Sequence, residues 1–489
     1  MELFSPEGLA SARLFFVGIK GTGMTALAEL FSAAGAVIEG SDVDDTFYTD
    51  EILASLGIRV HDFSHHHLHA PWHAVVHSAA YPPTHPQLAE ARRLGIPCYP
   101  YPHALGAYSR HFRSAGIAGV HGKTSTTALT GTLLRALSLP AATLTGSAVP
   151  LWGGRATLTH PSPRYFVAET CEYRRHFLHF NPTWIVLTSV EEDHLDYYPT
   201  YEDIFAAFLE YAHLLPPDGA LIYCADQPGA VQAARTLAAE RPDLALIPYG
   251  RTAPGPFRIT DISQHPGAQT ARLAAGLSFT LHVPGAHMLL NATAALALTA
   301  LIAQDAGLAP SPEAFLSDHA GPLCAALASY TGTRRRSEVV GQAGGIIFID
   351  DYGHHPTAIR ATLEGYRTFY PGRRIILDFM SHTYSRTAAL LHEFARSFEP
   401  ADIVILHKIY ASARETSGAV TGEDLYRAAS AMHPFVYYTH EVMDAFDLCT
   451  RILRPGDLFI TMGAGDNWKL GRALYQHYAN KEGAPTCEA

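Results

Sequence analysis

Cysteine is sparse and unpatterned. The six residues Cys98, Cys171, Cys224, Cys324, Cys449 and Cys487 stand singly, with no C-x-x-C pair. Neither a disulfide-stapled scaffold nor a cysteine-rich zinc site is indicated, and free thiols in a reducing compartment are expected. An excess of basic residues is missing too. Lys plus Arg number 35 against 46 Asp plus Glu, a net charge of -11 with histidines neutral. That balance disfavours a nucleic-acid partner and requires any anionic ligand to be held locally. Long apolar runs are also lacking. The first, residues 14–19, is short, follows no basic stretch and precedes no small-residue cleavage site, so no export signal is expected. Residues 288–303 come nearest to a membrane span but carry Asn291, Thr293 and Thr299 and are rich in alanine. They fall short of the roughly 20 strongly apolar residues a bilayer requires, so a buried helix is expected. These absences together predict a cytoplasmic protein without a membrane partner.

Charged residues make up 17% and hydrophobic residues 48%, a composition that excludes disorder and fibre and fits a globular chain. At about 150 residues per domain, 489 residues suggest roughly two to four domains, with three the first expectation. Residues 14–17, 36–39 and 74–77 read as short strands, and 25–34 and 49–56 as helices, which is the βαβα order of a Rossmann-like unit. A second unit opens with a strand at 114–119, a glycine-bearing loop and a helix over 124–137. Strands at 165–168 and 184–188 follow, and an alanine-rich helix closes near residue 304. A third unit carries strands at 345–349, 374–379, 403–406 and 457–461, separated by helical stretches. No repeat of fixed period and no low-complexity linker interrupts the chain. The expected fold class is α/β in three domains. These are a Rossmann-like domain over residues 1–107, a central P-loop ATPase-like domain over 108–326, and a Rossmann-like C-terminal domain over 327–489.

The strongest motif is Gly119-Val120-His121-Gly122-Lys123-Thr124-Ser125-Thr126, between a strand and a helix start. Backbone N–H groups of such a turn surround phosphate oxygens, Lys123 reaches the β and γ phosphates, and the Thr124 hydroxyl binds Mg²⁺. The loop lacks the first glycine of the general phosphate-loop pattern, which leaves a ligand-free turn as the other reading. Gly18-Ile19-Lys20-Gly21-Thr22-Gly23-Met24 follows the first strand where a nucleotide pyrophosphate sits in Rossmann-type units, with Asp42 about twenty residues on. Lys20 fills the place of the second fingerprint glycine. A nucleotide diphosphate therefore fits at least as well as NAD.

Acids cluster where strands end. Glu169-Thr170-Cys171-Glu172-Tyr173 and Glu191-Glu192-Asp193-His194-Leu195-Asp196 are placed to hold Mg²⁺ beside the phosphate loop, unless they are solvated surface runs. Asp350-Asp351-Tyr352-Gly353-His354-His355-Pro356 and His382-Thr383-Tyr384-Ser385-Arg386-Thr387 follow two later strands and offer groups for a substrate carboxylate. His65, His66, His67 and His69 read as a solvated loop, because they lack ligand spacing on one element.

In this order, the motifs resemble the Mur ligase family, ATP-dependent amide-forming enzymes of peptidoglycan synthesis, over nearly the whole chain. Within it, residues 18–24 with Ser78-Ala79-Ala80, the 350–356 segment and the 379–387 segment resemble the branch that joins UDP-N-acetylmuramate to L-alanine. The Cys171-Glu172-Tyr173 variant also fits that branch. The resemblance implies that Gly18, Gly21, Gly23, Met24, Asp42 and Ser78 bind the UDP-sugar in the first domain. It implies that residues 119–125, from Gly119 to Ser125, hold ATP, with Lys123 on the phosphates and Thr124, Glu169 and His194 as Mg²⁺ ligands; Lys123, Glu169 and His194 are the implied catalytic set. Gly285-Ala286-His287 and Asn291 match the adenine-contacting segment, Arg335 and Asp351 match positions near the ATP phosphates and ribose, and His354 and Arg386 match the amino-acid carboxylate site. The implied protein is a monomer or homodimer whose partners are its small substrates.

The chemistry suits that equipment. A carboxylate is a poor acyl acceptor for an amine until it takes the γ-phosphoryl group as an acyl phosphate, and two anions must then be brought together by local positive potential. Excluding water from the acyl phosphate argues for domain closure. Four departures from the family pattern stand out: Lys20 for glycine, Val120 for threonine, Met288 for asparagine beside His287, and Thr383 for a second arginine. Losing a charge-assisted partner at Thr383 weakens carboxylate binding by roughly 1.5 to 3 kcal/mol unless His382 compensates. The readings kept open beside the alanine ligase are a ligase that recycles a preformed tripeptide onto UDP-N-acetylmuramate and, from another class, a nicotinamide-dependent oxidoreductase.

Overall fold

The computed structural model describes residues 2–64, 67–68, 71–194, 197–411 and 417–483. Cys487, Leu195, Asp196 and His65, His66 and His69 of the histidine run lie outside the described residues.

The first sheet has five parallel strands. In sheet order they are Arg59–His61, Val37–Ser41, Arg13–Val17, Ala74–His77 and Cys98–Pro100. Leu14, Phe15, Phe16 and Val17 of the central strand are fully buried. A parallel strand covered on both faces reads as a continuous apolar run, and this one does. The strand order reverses beside Arg13–Val17, so the crevice at its carboxyl end, between Gly18 and Ser78, is where such sheets receive ligands.

The second sheet has seven strands. Their order is Ala245–Tyr249, Ala220–Cys224, Trp184–Leu187, Arg113–Ala118, Tyr165–Glu169, Ala141–Val149 and Arg155–Thr159, and only the last runs antiparallel. Helix Lys123–Ala136 packs on helix Ala286–Asp305. The latter is long and apolar enough to cross a bilayer, yet 78% of its most apolar window is buried inside the fold. A helix apolar all round belongs to a core. One feature departs from the expected layout: Ile259–His265, Ala268–Leu273 and Ser278–Leu281 form a separate antiparallel sheet before that helix.

The third large sheet runs Glu338–Ala343, Ile346–Asp351, Asp457–Gly463, Arg374–Met380, Ile403–Leu406 and Val436–Tyr438, parallel except for its first strand. In its interior the fully buried His407 pairs with Asp378 at 2.7 Å, and Asn467 Nδ2 donates to the same carboxylate at 2.9 Å.

The units join in two different ways. The first and second units share one apolar cluster, bridged by Tyr108, whose ring lies 5.6 Å from Phe31 on helix Thr22–Ala33 of the first and 5.1 Å from Phe166 on a strand of the second. The apolar clusters of the third sheet contain none of these residues. The third unit meets the others through polar groups and bare backbone. Ser147 Oγ donates to Arg334 O at 2.8 Å, the Arg334 guanidinium stacks over Tyr48 at 4.7 Å, and Gly267 N donates to Phe369 O at 3.1 Å. Gly365, on helix Pro356–Phe369, faces Gly285 so closely that a Cβ added there would lie 2.7 Å from the Gly285 Cα.

Candidate active site

Strand Arg113–Ala118 ends in the glycine loop, and helix Lys123–Ala136 begins at its last lysine. Both loop glycines are dictated by close approach. Gly119 has φ +130° and a Cβ there would sit 2.1 Å from Thr188 Oγ1; Gly122 has φ +84° and its Cβ would sit 2.6 Å from Asn291 Oδ1. Val120 N and His121 N donate to Ser189 O and Oγ, which fixes the loop on the neighbouring strand end. Ser125 lies in the first turn and is buried.

Lys123 is held by Glu172, a residue not singled out for the site from the sequence. Its Nζ lies 2.9 and 3.2 Å from the two Glu172 oxygens. Burial alone would strip the lysine of its proton, but the Glu172 carboxylate outweighs it and raises the Lys123 pKa. Burial likewise opposes ionisation of Glu172, and Lys123 and His194 overcome it, so its pKa falls. His194 Nε2 lies 3.3 Å from Glu172 Oε1. Thr124 Oγ1 donates to Glu169 Oε2 at 2.7 Å, and Glu169 occupies the space that a side chain at Gly146 would fill. Thr124 and Glu169 are thus together, whereas His194 pairs with Glu172, the partner of Lys123. A hydroxyl and a carboxylate at this separation are hard oxygen donors that fit Mg²⁺.

The expected adenine segment is split. Gly285, with φ +96°, caps helix Ala286–Asp305, and the His287 ring folds back over it. Burial lowers the His287 pKa to about 4, which keeps its imidazole neutral. Asn291 lies one turn on and sits against Gly122 of the phosphate loop, with its Nδ2 3.6 Å from Met288 Sδ. Met288 itself is core.

Of the three consecutive arginines, Arg335 is turned toward the third sheet. It has φ +60°, its Nε donates to Asp350 at 3.0 Å, and an Nη donates to Gly463 O at 2.9 Å. Asp351 accepts from Ser337 N and Gly353 N, each at 2.7 Å. Burial raises its pKa, and the nearest opposing charge is Arg336. Burial and then Arg336 lower the pKa of His287, and Arg336 adds a smaller contribution at His121, whose pKa is lowered chiefly by burial and His355. Arg334, Arg335 and Arg336 all line a cleft of about 490 Å³ that includes Gly23, Thr124 and Glu169.

The first unit reaches the same cleft through its glycine turn. Gly18 has φ +82°, and a Cβ there would meet Tyr81 at 2.5 Å and Ser78 at 3.1 Å. Gly21 caps helix Thr22–Ala33, Gly23 packs on Tyr101, and Met24 is buried. Asp42 accepts from Lys20 N at 2.6 Å and from Val43 N at 2.8 Å. The Lys20 side chain bonds Asp45 O and Asp50 instead of entering the turn, which explains how a lysine replaces glycine there.

In the third unit, Arg386 is 8% exposed and donates to Asp193 Oδ1 of the second unit at 2.5 Å, with His382 Nδ1 at 3.2 Å. His354 Nδ1 lies 2.9 Å from Tyr352 O. Burial, then the Arg386 charge, holds its pKa well below the usual imidazole range. Burial also opposes the charge on Asp193, yet His194 and Arg386 keep its carboxyl well below the ordinary value. Thr383, with φ +66°, is buried and caps the short helix that carries Arg386. The sequence does bring His354 and Arg386 to one wall, but the carboxylate they meet is the protein's own.

Known proteins repeat this arrangement of parts. Three family models match along the chain: the Mur ligase family catalytic domain at residues 13–113, the Mur ligase middle domain at 117–299, and the Mur ligase glutamate ligase domain at 335–465. A UDP-N-acetylmuramate--L-alanine ligase of Treponema pallidum is 50% identical over 482 residues, covering 97% of this chain and 98% of that protein. One from Desulfitobacterium hafniense is 39% identical, covering 94% and 99%. The crystal structure of UDP-N-acetylmuramate-alanine ligase from Thermotoga maritima matches with a TM-score of 0.78 over 96% of this chain and 99% of that one, at 22% identity.

Proposed function

The chain belongs to the Mur ligase family, and we propose that within it this protein joins L-alanine to the lactoyl carboxylate of UDP-N-acetylmuramate as ATP is cleaved to ADP and phosphate. The reaction is a step of peptidoglycan synthesis, and so of cell-wall growth, cell shape and division, carried out in the cytoplasm by a monomer or homodimer. The observation that carries the reading is the 50% identity, over 97% of the chain, to a relative bearing that name.

The proposed division of labour follows the three sheets: UDP-sugar on residues 1–107, ATP and Mg²⁺ on 108–326, the amino acid on 327–489. Lys123 and the loop N–H groups bind the triphosphate, and the Glu172 carboxylate that keeps Lys123 charged at the start of the loop's helix supports this role. Thr124, Glu169 and His194 would hold Mg²⁺, which when bound neutralises charge between phosphate oxygens and the carboxylate. Glu172 keeps Lys123 protonated and orients His194. Arg336 adds positive charge beside the loop, while Arg335 and Asp351 shape the turn that presents it. His287 and Asn291 border the nucleotide. Gly18, Gly21, Gly23, Met24, Asp42 and Ser78 form the turn for the UDP pyrophosphate. Arg386 and His354 receive the alanine carboxylate. Attack of the amine on the acyl phosphate gives a tetrahedral adduct whose collapse releases phosphate.

Phosphate release and amide formation by the purified protein with ATP, Mg²⁺ and UDP-N-acetylmuramate test the reading, with L-alanine, other amino acids, the tripeptide or no acceptor compared side by side. Release that requires both UDP-sugar and L-alanine is expected. Release with the tripeptide alone would move the assignment to the recycling ligase, and release with no acceptor at all would overturn both.

A further inference from the structure

Beside the phosphate loop, outside the Thr124 and Glu169 pair, three side chains converge whose joint chemistry the ligase reaction does not use. His121 lies on the loop, Glu191 follows strand Trp184–Leu187, and His355 precedes helix Pro356–Phe369 of the third unit. One donor atom from each lies within 4.8 Å of the others. His121 Nε2 is 3.8 Å from Glu191 Oε2, and the two imidazole rings are 5.3 Å apart.

Two nitrogens here are buried without a hydrogen-bond partner: His121 Nε2 and His355 Nδ1. His355 as a whole is 8% exposed. A buried imidazole nitrogen left unpaired costs free energy, so a native fold that keeps two in one place is short of a ligand there. Both rings are held neutral, His121 by burial and then by His355, with its pKa lowered to about 3. Their lone pairs are therefore free for a metal. Glu191 is burdened by burial and then by Asp193, which raise its pKa. A cation would relieve that burden.

We propose that His121, Glu191 and His355 form a second divalent-cation site, selective for zinc-like transition metals, which bridges the phosphate loop to the third unit. Two imidazoles and a carboxylate are the donor set of zinc or cobalt, whereas Mg²⁺ prefers oxygen alone. Bonds of about 2.0–2.1 Å in a tetrahedron place donors roughly 3.4 Å apart, so the side chains close inward on the ion by torsion about their own bonds. The loop backbone stays fixed, because His121 N donates to Ser189 Oγ and its carbonyl accepts from Thr188 Oγ1. The site is separate from the Thr124–Glu169 pair, and an ion there ties the loop to the start of helix Pro356–Phe369.

The test uses the full chain stripped with chelator and kept in saturating Mg²⁺, titrated with Co²⁺ while visible absorption is recorded. One equivalent of Co²⁺ with a tetrahedral absorption band, displaced by Zn²⁺, is expected. Glu191→Gln and His355→Gln should each weaken that binding by about tenfold or more, with thermal unfolding in the absence of Co²⁺ unchanged as the control for folding. A protein that takes up no Co²⁺ in the presence of Mg²⁺ would overturn the proposal. So would a tetrahedral band of undiminished affinity in both folded variants, which would assign the ion to other histidines.

Discussion

The seam between the first and second sheets and the seam around the third are built from opposite materials. At the first, Tyr108 threads one apolar cluster through two sheets. At the second, the contacts are a hydroxyl on a carbonyl, a guanidinium over a ring, an Arg386–Asp193 ion pair and a glycine facing a glycine. Apolar contact is lost outright when parted, while polar groups trade partners with water at small net cost. The first seam therefore behaves as a fixed joint and the second as one that can open to admit substrates. The same contrast divides the chemistry. Lys123 is paired with Glu172 of its own unit, whereas Arg386 is paired with Asp193 of another. The Lys123 ion pair lies within one unit, and the Arg386 ion pair exists only where two units meet.

The largest effect should come from the self-contained side. Lys123→Ala should lower phosphate release by about a thousandfold or more, since it removes a preorganised charge at the reacting phosphates; unchanged release would remove the loop from the reaction. The fixed joint should break next. Tyr108→Ala should cost about 3–5 kcal/mol in denaturant unfolding, with the first and second units losing structure together; loss from the first unit alone would show that the cluster does not couple them. Arg386→Ala should raise KM for L-alanine by about 10- to 100-fold, the worth of one charge-assisted contact, with KM for ATP nearly unchanged. An equal rise in both would mean that Arg386 holds the seam closed and does not bind the acceptor.

The smallest expected effect is one of pH and confined to the third unit. Burial alone would depress His407, but Asp378 outweighs it and the imidazole pKa is raised above 6.5. Stability from that pair is complete below the ordinary imidazole value and is lost as pH rises through the raised one. Calorimetry from about pH 6 to about pH 9 should show the third unit's transition moving down, and Asp378→Asn should flatten that dependence. A slope that survives the substitution would place the titrating group elsewhere.

How much of this the sequence disclosed follows the same division. The phosphate loop and the glycine turn of the first unit are each contiguous in sequence, so they are legible as strings, although the groups that crowd Gly119 and Gly122 lie far along the chain. Helix Ala286–Asp305 is legible as a buried element because it is long and alanine-rich, and its few polar residues, Asn291, Thr293 and Thr299, keep it short of a membrane span. The antiparallel strands between Ile259 and Leu281 are short and lie beside no motif, although Pro266-Gly267 and Gly276 mark their turns. Arg335 and Arg336 differ by one position, and Arg335, with a left-handed φ, bonds Asp350 and Gly463 O of the third sheet; composition carries no trace of that. Glu172 and Asp193 were visible only as members of acidic runs. Their importance comes from burial, which turns an ordinary surface acid into the partner that holds Lys123 charged or seats the Arg386 guanidinium.

Gly365 and Gly285 meet with no side chain between them. A seam stitched by lysines or methionines would have to freeze several torsions each time it formed, and would release that freedom each time it parted. Two glycines have no χ angles to freeze. At this point, parting and rejoining the units leaves side-chain entropy untouched, so the contact can be remade through many turnovers without a conformational search.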